Sequence, residues 1–458
     1  MTKASVKHIL EADRELVRKA VKMEAKEVIK EYLDQNKKEF ADCADLIHSL
    51  AEPSAEEYKS CDVLCALLEK HSFAVEKGLK DQPTAFRAIY GTGKTRIGYM
   101  CEYDALATLQ QDDVPYLQGN GGFGHGCGHN LLGAGSAAAG IALKEAIDRT
   151  GLDATVVVYG TPAEETLLGK TIMVSNGYFR DVDVCIGWHP LDHNDCGEVK
   201  FKAASSMTFT FHGVKAHACN CPENGRSALD AAELMSVGCN YLREHIDRDS
   251  YLHYSYINGG DRPNIVPDYA KVWYYARAYT YGQMLQVAER IKDVARGAAL
   301  MTGTTVEWEV LGENHDNKLN FTLSNLAYEC MNEAGIPTFT EEEKEYAVTV
   351  AKAVGLPNVK GVLEEWVEKP DGTIKKDNGS SDISDVSQIV PTVNLNTVCY
   401  GRYTPNHSWA VTVQANKPVA HKGMIFAAKV LASMGERLAR DSELLGKVKE
   451  EFAKAENV

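Results

Sequence analysis

Short apolar runs alternate with longer amphipathic segments over the first part of the chain. Ala154–Tyr159 is a nearly continuous run of β-branched residues, which is typical of a strand buried on both faces of a parallel sheet. Shorter apolar runs predict strands at Arg96–Cys101 and Val182–Ile186. Because helical patterns separate these strands, the sequence favours an α/β sheet in this region.

Amphipathic and small-residue patterns predict the helices of the same fold. They cover these ranges: Ser5–Asn36, Ser54–Lys70, Leu131–Ile147 and Ala420–Arg440. Ser54 is followed three residues later by Glu57, which is a capping-box pattern, so the second helix is predicted to begin at Ser54. We predict helices alone for residues 1–90, and the helix that ends at Arg440 is predicted to close the fold.

A different pattern begins near Ala204. The predicted order is strand, helix, strand, strand, helix, strand: Met207–His212, Ala228–His245, Tyr251–Ile257, Ala270–Ala278, Tyr281–Met301 and Thr304–Val310. This is the order of a ferredoxin-like α+β unit. The predicted fold class is α/β, with an α/β/α sheet domain formed by residues 1–204 and 317–458 and an inserted ferredoxin-like α+β domain of residues 205–316.

Composition and charge exclude several classes of partner. The 458 residues are 44% hydrophobic and 25% charged, as in ordinary globular proteins. The net charge of −15, with no basic block, argues against nucleic acid and anionic membranes as partners. We find no signal-peptide pattern and no run that approaches the roughly 18 apolar residues of a membrane span. Together with the 12 cysteines, this predicts a cytoplasmic protein with free thiols.

The glycine-rich segment Gly124–Asn130 places a thiol and an imidazole two residues apart. Side chains at such a spacing lie on the same face only where the backbone is extended, so we predict extended backbone from Cys127 to His129. The surrounding glycines allow close approach. A thiolate and an imidazole that converge suit a borderline-soft metal such as zinc.

Further candidate ligands follow predicted strands. Glu165 comes after Ala154–Tyr159, His189 comes after Val182–Ile186, and His407 lies near the end of the chain. Open α/β sheets place their sites at the carboxyl ends of the strands, so we expect these three residues to meet the Cys/His pair and hold two divalent ions. Either histidine motif alone is equally typical of a packed turn, so the prediction depends on the joint pattern.

Two adjacent carboxylates, Glu164 and Glu165, stand in the turn after the apolar strand. Buried carboxylates need partners, which makes this an unfavourable place for two charges unless they are functional. One can bind a metal ion while the other takes a proton from water and passes it to a leaving nitrogen. The residues alone leave open which carboxylate has which role.

These motifs occur in a characteristic order along nearly the whole chain: Asp104-Ala-Leu, Gly-His-Gly-Cys-Gly-His-Asn, Pro-Ala-Glu-Glu with Gly-Lys beyond it, Trp-His-Pro, Lys-Ala-His217-Ala, Gly-Arg226-Ser-Ala-Leu-Asp, Pro-Asn264-Ile-Val-Pro and His407-Ser-Trp. In this order and spacing the chain resembles the metallo-amidohydrolase/aminopeptidase family that includes carboxypeptidase G, aminoacylases and auxin-conjugate hydrolases. The resemblance also includes Ser380–Val386.

The resemblance implies that the sheet domain is catalytic and carries two divalent metal ions, zinc or manganese, and that the inserted domain is a lid that dimerises. It implies Glu164 as general base and acid, and it implies these metal ligands: Cys127, His129, Glu165, His189 and His407. Asp104 becomes an orienting residue behind the ligands. Many relatives have a ligand histidine where this chain has Glu102, so the ligand role of that position is expected to have moved to the Cys/His pair.

The resemblance also assigns roles to residues of the lid. His217 matches a histidine that reaches the partner subunit's site and polarises the scissile carbonyl, and it is the second expected catalytic residue. Asn264, Arg277 and Arg226 match substrate-binding positions, and an arginine fork suits a carboxylate through paired hydrogen bonds. Thr166–Lys170 is bulky where close relatives are glycine-rich, so we expect a different leaving-group preference.

The predicted function is therefore that of a two-metal amidohydrolase. Its expected substrate is an N-acyl amino acid, aminobenzoyl-glutamate-like, and its expected partner is a second copy of the chain or a homologous sister subunit. The alternatives are a dipeptidase of the same family, a subunit that needs a sister subunit for activity, and a metal-dependent binding protein. The intact Glu164 and complete ligand set argue against a non-catalytic subunit.

Overall fold

The computed structural model describes residues 24–356 and 358–455. Its strands are β1 (Ala74–Leu79), β2 (Gln82–Tyr90), β3 (Thr95–Cys101), β4 (Ala154–Gly160), β5 (Val184–Leu191), β6 (Val199–Lys200), β7 (Ala203–His212), β8 (Tyr251–Asn258), β9 (Tyr269–Ala278), β10 (Thr305–Asn314), β11 (Lys375–Lys376) and β12 (Thr392–Val398).

The helices of the described residues are α1 (Ala25–Leu50), α2 (Tyr58–Lys70), α3 (His129–Thr150), α4 (Gly169–Ser175), α5 (Ala228–Leu242), α6 (Tyr281–Thr302), α7 (Phe321–Ala334), α8 (Glu341–Ala353), α9 (Ile383–Ile389), α10 (Trp409–Gln414), α11 (Pro418–Arg440) and α12 (Ser442–Lys454). Residues 5–23 of the first predicted helix lie outside the described residues. Within the described ranges, no helix has both the length and the apolar composition that crossing a bilayer requires.

The larger sheet has the strand order β1-β2-β4-β3-β5-β12. Strands β3, β4, β5 and β12 are parallel to one another, while β1 and β2 form an antiparallel edge. Every residue of β4 is buried, and its side chains alternate between two apolar cores. Val156 and Val158 pack with α1, α3 and α11, while Val157 and Tyr159 pack with α4 and α9. The predicted α/β/α arrangement is confirmed.

The smaller sheet is antiparallel, with the order β10-β7-β9-β8. Helices α5 and α6 pack on it through a separate core that includes Phe209, Met235 and Ile291. Strand order and connections are those of the predicted ferredoxin-like unit, which is confirmed as part of the fold class. Its strands run from Ala203 to Asn314, and the domain boundaries at 204 and 317 stay predictions.

The prediction for residues 1–90 is wrong in three respects. Strands β1 and β2 stand where only helix is predicted, and α1 continues to Leu50. Helix α2 begins at Tyr58 because Ser54 and Glu57 have tertiary partners instead of forming a capping box. The Ser54 hydroxyl donates to Asp104, and the Glu57 carboxylate accepts the backbone N–H of Ala163. At the other end, α11 is followed by α12, so it does not close the fold.

Helix α11 crosses β3 at Gly435, and this close contact yields a stability prediction. The Tyr99 hydroxyl donates to the Leu431 carbonyl at 3.1 Å, and a Cβ on Gly435 would lie 2.3 Å from the same hydroxyl oxygen. Overpacking of this kind costs about 1–3 kcal/mol. We therefore expect Gly435→Ala to lower the free energy of unfolding, measured by urea denaturation followed by circular dichroism.

Gly446→Ala in α12 is the matched control, because a Cβ at that helical glycine meets no atom within 4 Å. It should raise the free energy of unfolding by about 1 kcal/mol through helix propensity. Stabilisation of similar size by both substitutions would contradict the packing of α11 against β3.

Candidate metal centre

The carboxyl end of the parallel sheet gathers the candidate functional side chains. Asp104 follows β3, Glu164 and Glu165 follow β4, and His189 lies within β5, which is longer than predicted. Cys127 and His129 stand at the start of α3, which crosses the sheet next to β3, β4 and β5. Open α/β sheets place their sites at this end, so the fold brings residues from distant parts of the sequence together.

The backbone at Cys127 and His129 is not the predicted extended segment. Gly128, between them, has φ +77°, in the left-handed region that favours glycine, and His129 is already the first residue of α3. A Cβ on Gly128 would also lie 2.8 Å from Pro190. The two side chains therefore converge through a left-handed turn into a helix.

Two further turns hold their residues in strained backbone conformations. Ala163 and Leu167, on either side of the short 3₁₀ turn Glu164–Thr166, both have positive φ, at 57° and 61°. His407 has φ +52°, and its N–H donates to the Gly126 carbonyl at 3.0 Å. Non-glycine residues adopt this region at an energetic cost, which is typical of functional sites.

The five candidate ligands lie close together. Cys127 Sγ is 3.3 Å from His189 Nε2, and Glu165 lies between two imidazoles, with Oε1 3.9 Å from His129 Nε2 and Oε2 3.5 Å from His407 Nε2. Their ligand atoms form two groups, each within 4.8 Å: Cys127, His129 and His189 in one, and Cys127, Glu165 and His407 in the other. The sulfur is common to both groups.

Asp104 lies directly behind this cluster. Its Oδ1 accepts from His129 Nδ1 at 2.8 Å, and its Oδ2 accepts from the Ser54 hydroxyl and the Glu165 N–H. Burial alone would raise the pKa of Asp104, but His129 and these hydrogen bonds lower it to about 2. An ionised Asp104 orients His129 so that Nε2 faces the cluster.

The cluster has too little positive charge for its carboxylates and thiol. Burial, and then the Glu102 charge, raises the pKa of Glu164 to about 7, and burial above all raises the pKa of Glu165 to about 8. Burial opposes the imidazolium form of His129, yet Cys127 and Asp104 raise its pKa well above the ordinary range. These anionic surroundings attract a cation.

Unpaired ligand atoms indicate that the cation is a metal ion. His129 Nε2 and Glu165 Oε1 are buried and have no hydrogen-bond partner among the residues that the structure describes. Such orphaned atoms are rare in proteins without a further group to bind them. Thiolate, imidazole and carboxylate are the ligands that zinc and similar divalent ions use, so the residues fit two divalent ions.

A cavity of about 420 Å³ opens above the cluster. Its walls come from both sheets and the loops between them: Glu102, Cys127, Glu164, Glu165, Leu167, His189, Leu191, His193, Val199, Phe201, Tyr275, Arg277, Asp377, Gly379, Ser380, Ser381, Asn394, Asn396, Asn406 and His407. The Arg277 guanidinium lies 3.3 Å from the Ser380 hydroxyl, and burial lowers its pKa. Of the predicted lid residues, Arg277 therefore shares the cavity with the ligands.

The other predicted lid residues, His217, Asn264 and Arg226, are exposed and do not line this cavity. His217 Nδ1 accepts the backbone N–H of Cys219 and of Asn220, both at 3.2 Å, which leaves Nε2 to carry a proton. Within one chain, the lid thus presents His217 away from the metal cluster.

Arg226 and Asn264 pack locally in the lid. Arg226 donates to the carbonyls of Glu223 and Gly225, and the Asn264 carbonyl accepts the backbone N–H of Ala218. Neither contact gives the side chain access to the cluster of its own chain.

Sequence reasoning missed a buried ion-pair group beside the ligands. Lys170 Nζ donates to Glu102 Oε1 at 2.7 Å and pairs with Asp382, and the Lys170 N–H donates to the same aspartate at 2.7 Å. All three side chains are buried. The only signals were the position of Glu102 at a strand end and the Gly-Lys and Ser380–Val386 motifs, which do not reveal that they meet.

Comparison with known proteins identifies relatives over most of the chain. A family model described as a peptidase dimerisation domain matches residues 199–300. The chain is 35% identical over 450 residues to one of the two p-aminobenzoyl-glutamate hydrolase subunits of Escherichia coli, covering 92% of this chain and 94% of the relative. It is 28% identical over 436 residues to the Xaa-Arg dipeptidase of Mus musculus, covering 92% and 90%.

Solved structures share the fold. An aminobenzoyl-glutamate utilization protein from Klebsiella pneumoniae superposes with a TM-score of 0.58 and 18% identity, covering 86% of this chain and 98% of that one. A dinuclear metal binding peptidase of the M20 family from Bacillus subtilis superposes with a TM-score of 0.57 and 16% identity, covering 87% and 99%. Both have the sheet domain and the inserted unit in the same arrangement.

The position of the Cys127 sulfur, common to both ligand groups, yields a prediction about its reactivity. A thiolate bound to metal is withdrawn from alkylation, so Mn²⁺ or Zn²⁺ should slow the reaction of Cys127 with iodoacetamide by about tenfold or more relative to the metal-free chain. The rates are measured by mass spectrometry of peptides at timed intervals.

Cys219, which is exposed on the lid, is the internal control and should react at the same rate with and without metal. The Cys127→Ala variant should also bind less metal. Equal rates at Cys127 in the two preparations would count against its role as a ligand.

Proposed function

The chain belongs to the M20 peptidase family, and we propose that it is a two-metal amidohydrolase that releases the amino acid from an N-acyl amino acid. As a member of this family it is a hydrolase of amide C–N bonds that uses divalent metal ions. The observation that carries the proposal is the convergence of five candidate ligands beside Glu164, at the floor of a cavity that also contains Arg277.

The ligand groups divide naturally between two ions. Cys127, Glu165 and His407 would hold one ion, and His129 and His189 would hold the other, with the Cys127 sulfur in reach of both. When bound, such a pair of ions activates a water molecule and polarises a carbonyl oxygen. Zinc suits the thiolate and imidazole ligands and manganese suits the carboxylates, so we propose one of these two metals.

Glu164 supplies the proton transfers. Its carboxylate lines the cavity next to Glu165, and burial shields it from bulk water. In the proposed role it takes a proton from the attacking water and delivers it to the leaving nitrogen as the C–N bond breaks. The Glu57 carboxylate, by accepting the Ala163 N–H at 2.8 Å, fixes the turn that carries Glu164.

Arg277 is the proposed carboxylate-binding group of the substrate pocket. A guanidinium forms paired hydrogen bonds with a carboxylate, and its partial burial strengthens that attraction. The cavity of about 420 Å³ suits a small N-acyl amino acid. With the name of the 35% identical relative, this favours a p-aminobenzoyl-glutamate-like substrate.

A dipeptidase activity is the second candidate, favoured by Asp377 on the cavity wall. A carboxylate there would attract the cationic side chain of a dipeptide, and a relative over 92% of the chain is an Xaa-Arg dipeptidase. Hydrolysis rates for p-aminobenzoyl-glutamate and for a dipeptide that ends in arginine separate the two candidates.

We propose further that the lid of one chain serves the site of a second chain. The match to a dimerisation domain supports dimer formation, and His217 is exposed and offers an Nε2 proton. A neutral imidazole of this kind can donate a hydrogen bond to the scissile carbonyl oxygen. A sister subunit could supply the same lid, since the relatives include both of the differently named subunits of the Escherichia coli hydrolase.

Glu164→Gln tests the assignment of the base. Glutamine keeps the size of the side chain but cannot accept the proton, so kcat for amide hydrolysis should fall by about 10²–10⁴-fold. Metal content, measured by mass spectrometry of the purified chain, should stay near that of the unsubstituted protein. Activity is assayed on the chain alone with added Mn²⁺ or Zn²⁺.

Glu165→Gln is the matched control and should lose metal instead. The opposite pattern, with metal lost from Glu164→Gln and retained in Glu165→Gln, would mean that the two carboxylates are assigned the wrong way round. Ligand binding without turnover in the metal-loaded chain would favour a binding protein or a subunit that needs its sister.

Subunit mixing tests the role of His217. A Glu164→Gln chain and a His217→Ala chain should each be nearly inactive, but a mixed dimer has one site with both lesions and one site with neither. Random exchange makes about half of the dimers mixed, so activity should recover to roughly a quarter of the unsubstituted level if the interface is symmetric.

Exchange itself is verified with differently tagged chains. Absence of recovery after exchange would mean that His217 acts within its own chain or has a structural role.

A further inference from the structure

Glu102, the first residue after β3, presents a buried carboxylate to the metal cluster. Its Oε1 accepts from Lys170 Nζ at 2.7 Å. Its Oε2 lies 3.3 Å from His129 Nε2, and in the described part of the chain neither of these two atoms has a hydrogen-bond partner. The proposed ligand set does not use this carboxylate.

The facing atoms need a cation between them. The Asp104 carboxylate accepts from His129 Nδ1 at 2.8 Å, so that nitrogen carries the proton and Nε2 of the neutral ring is a lone pair. A carboxylate oxygen and an imidazole lone pair repel each other at 3.3 Å. Both are good metal ligands, so an ion bound to the two of them removes the repulsion.

The charges around Lys170 lead to the same conclusion. Lys170 pairs with two carboxylates, Glu102 and Asp382, and its own side chain and that of Asp382 are fully buried. One buried negative charge therefore remains without a counter-ion, which is strongly unfavourable. The ligand atoms of Glu102, His129 and Glu164 lie within 4.8 Å of one another, so the excess charge is greatest beside His129.

We propose that Glu102 Oε2 is a further ligand of the ion held by His129 and His189. Lys170, anchored by Asp382, is the positioning residue that engages Oε1 and directs the other oxygen to the ion. The inference rests on the proposed two-metal function and corrects the expectation that position 102 has lost its ligand role. Glu164 stays unligated beside this ion, where its proton transfers require it.

Metal titration of the full chain tests the inference. Mn²⁺ is titrated into the metal-free protein by calorimetry, and the two dissociation constants are compared with those of Glu102→Gln. The variant should bind one of the two ions about tenfold or more weakly, because glutamine offers a neutral ligand in place of a charged one. Its Co²⁺-loaded form should also show shifted visible absorption bands.

Glu198→Gln is the matched control. Glu198 is also buried and has an unpartnered Oε1 within the described ranges, but it does not line the cavity of the cluster. Its substitution should leave both dissociation constants unchanged. Wild-type affinity for both ions in a folded Glu102→Gln chain would overturn the inference, while failure of the unsubstituted chain to bind two ions would overturn the proposed function itself.

A crystal structure of the unsubstituted, manganese-loaded protein provides a test that needs no variant. Anomalous density should place an ion about 2.0–2.2 Å from Glu102 Oε2. An ion at His129 that lies more than about 3 Å from this oxygen would overturn the inference even if Glu102→Gln did not fold.

Discussion

Excess negative charge, buried at the carboxyl end of one parallel sheet, is the constraint on which the rest of this structure depends. Glu102, Asp104, Glu164 and Glu165 meet there, and Lys170 is the buried cation among them. Burying such a group of charges without counter-ions would cost far more than a domain's net stability. The fold tolerates the cluster because its ligands fit divalent ions, so folding and metal binding are thermodynamically coupled.

The scaffold holds this charge by burying its sheet on both faces. The side chains of β4 belong alternately to two apolar cores, so the turn that carries Glu164 begins from a strand that cannot shift without disturbing both. Positive φ at Ala163, Leu167 and His407 shows that the strain is concentrated at the ligands. Stability elsewhere in the sheet offsets that local cost.

Local patterns account for what the sequence predicts well, and long-range contacts account for what it misses. The lid elements follow from alternation and amphipathicity, and motif order brings out the five candidate ligands. Ser54 misleads because its hydrogen bond to Asp104 overrides a capping signal worth only about 1 kcal/mol. The ion pair of Lys170 with Asp382 joins segments with no shared pattern. The left-handed turn at Gly128 is hidden because a Cys-Gly-His sequence fits an extended chain equally well.

Charge also links the site to its substrate. A chain with a net charge of −15 repels anions at long range, so an acidic substrate needs a local attraction to enter the cavity. Arg277 supplies it from the lid, while the metal cluster lies on the sheet domain. A substrate carboxylate bound to Arg277 with its amide over Glu164 would therefore span the two units. The distance between lid and sheet thus becomes a determinant of which amides are cleaved.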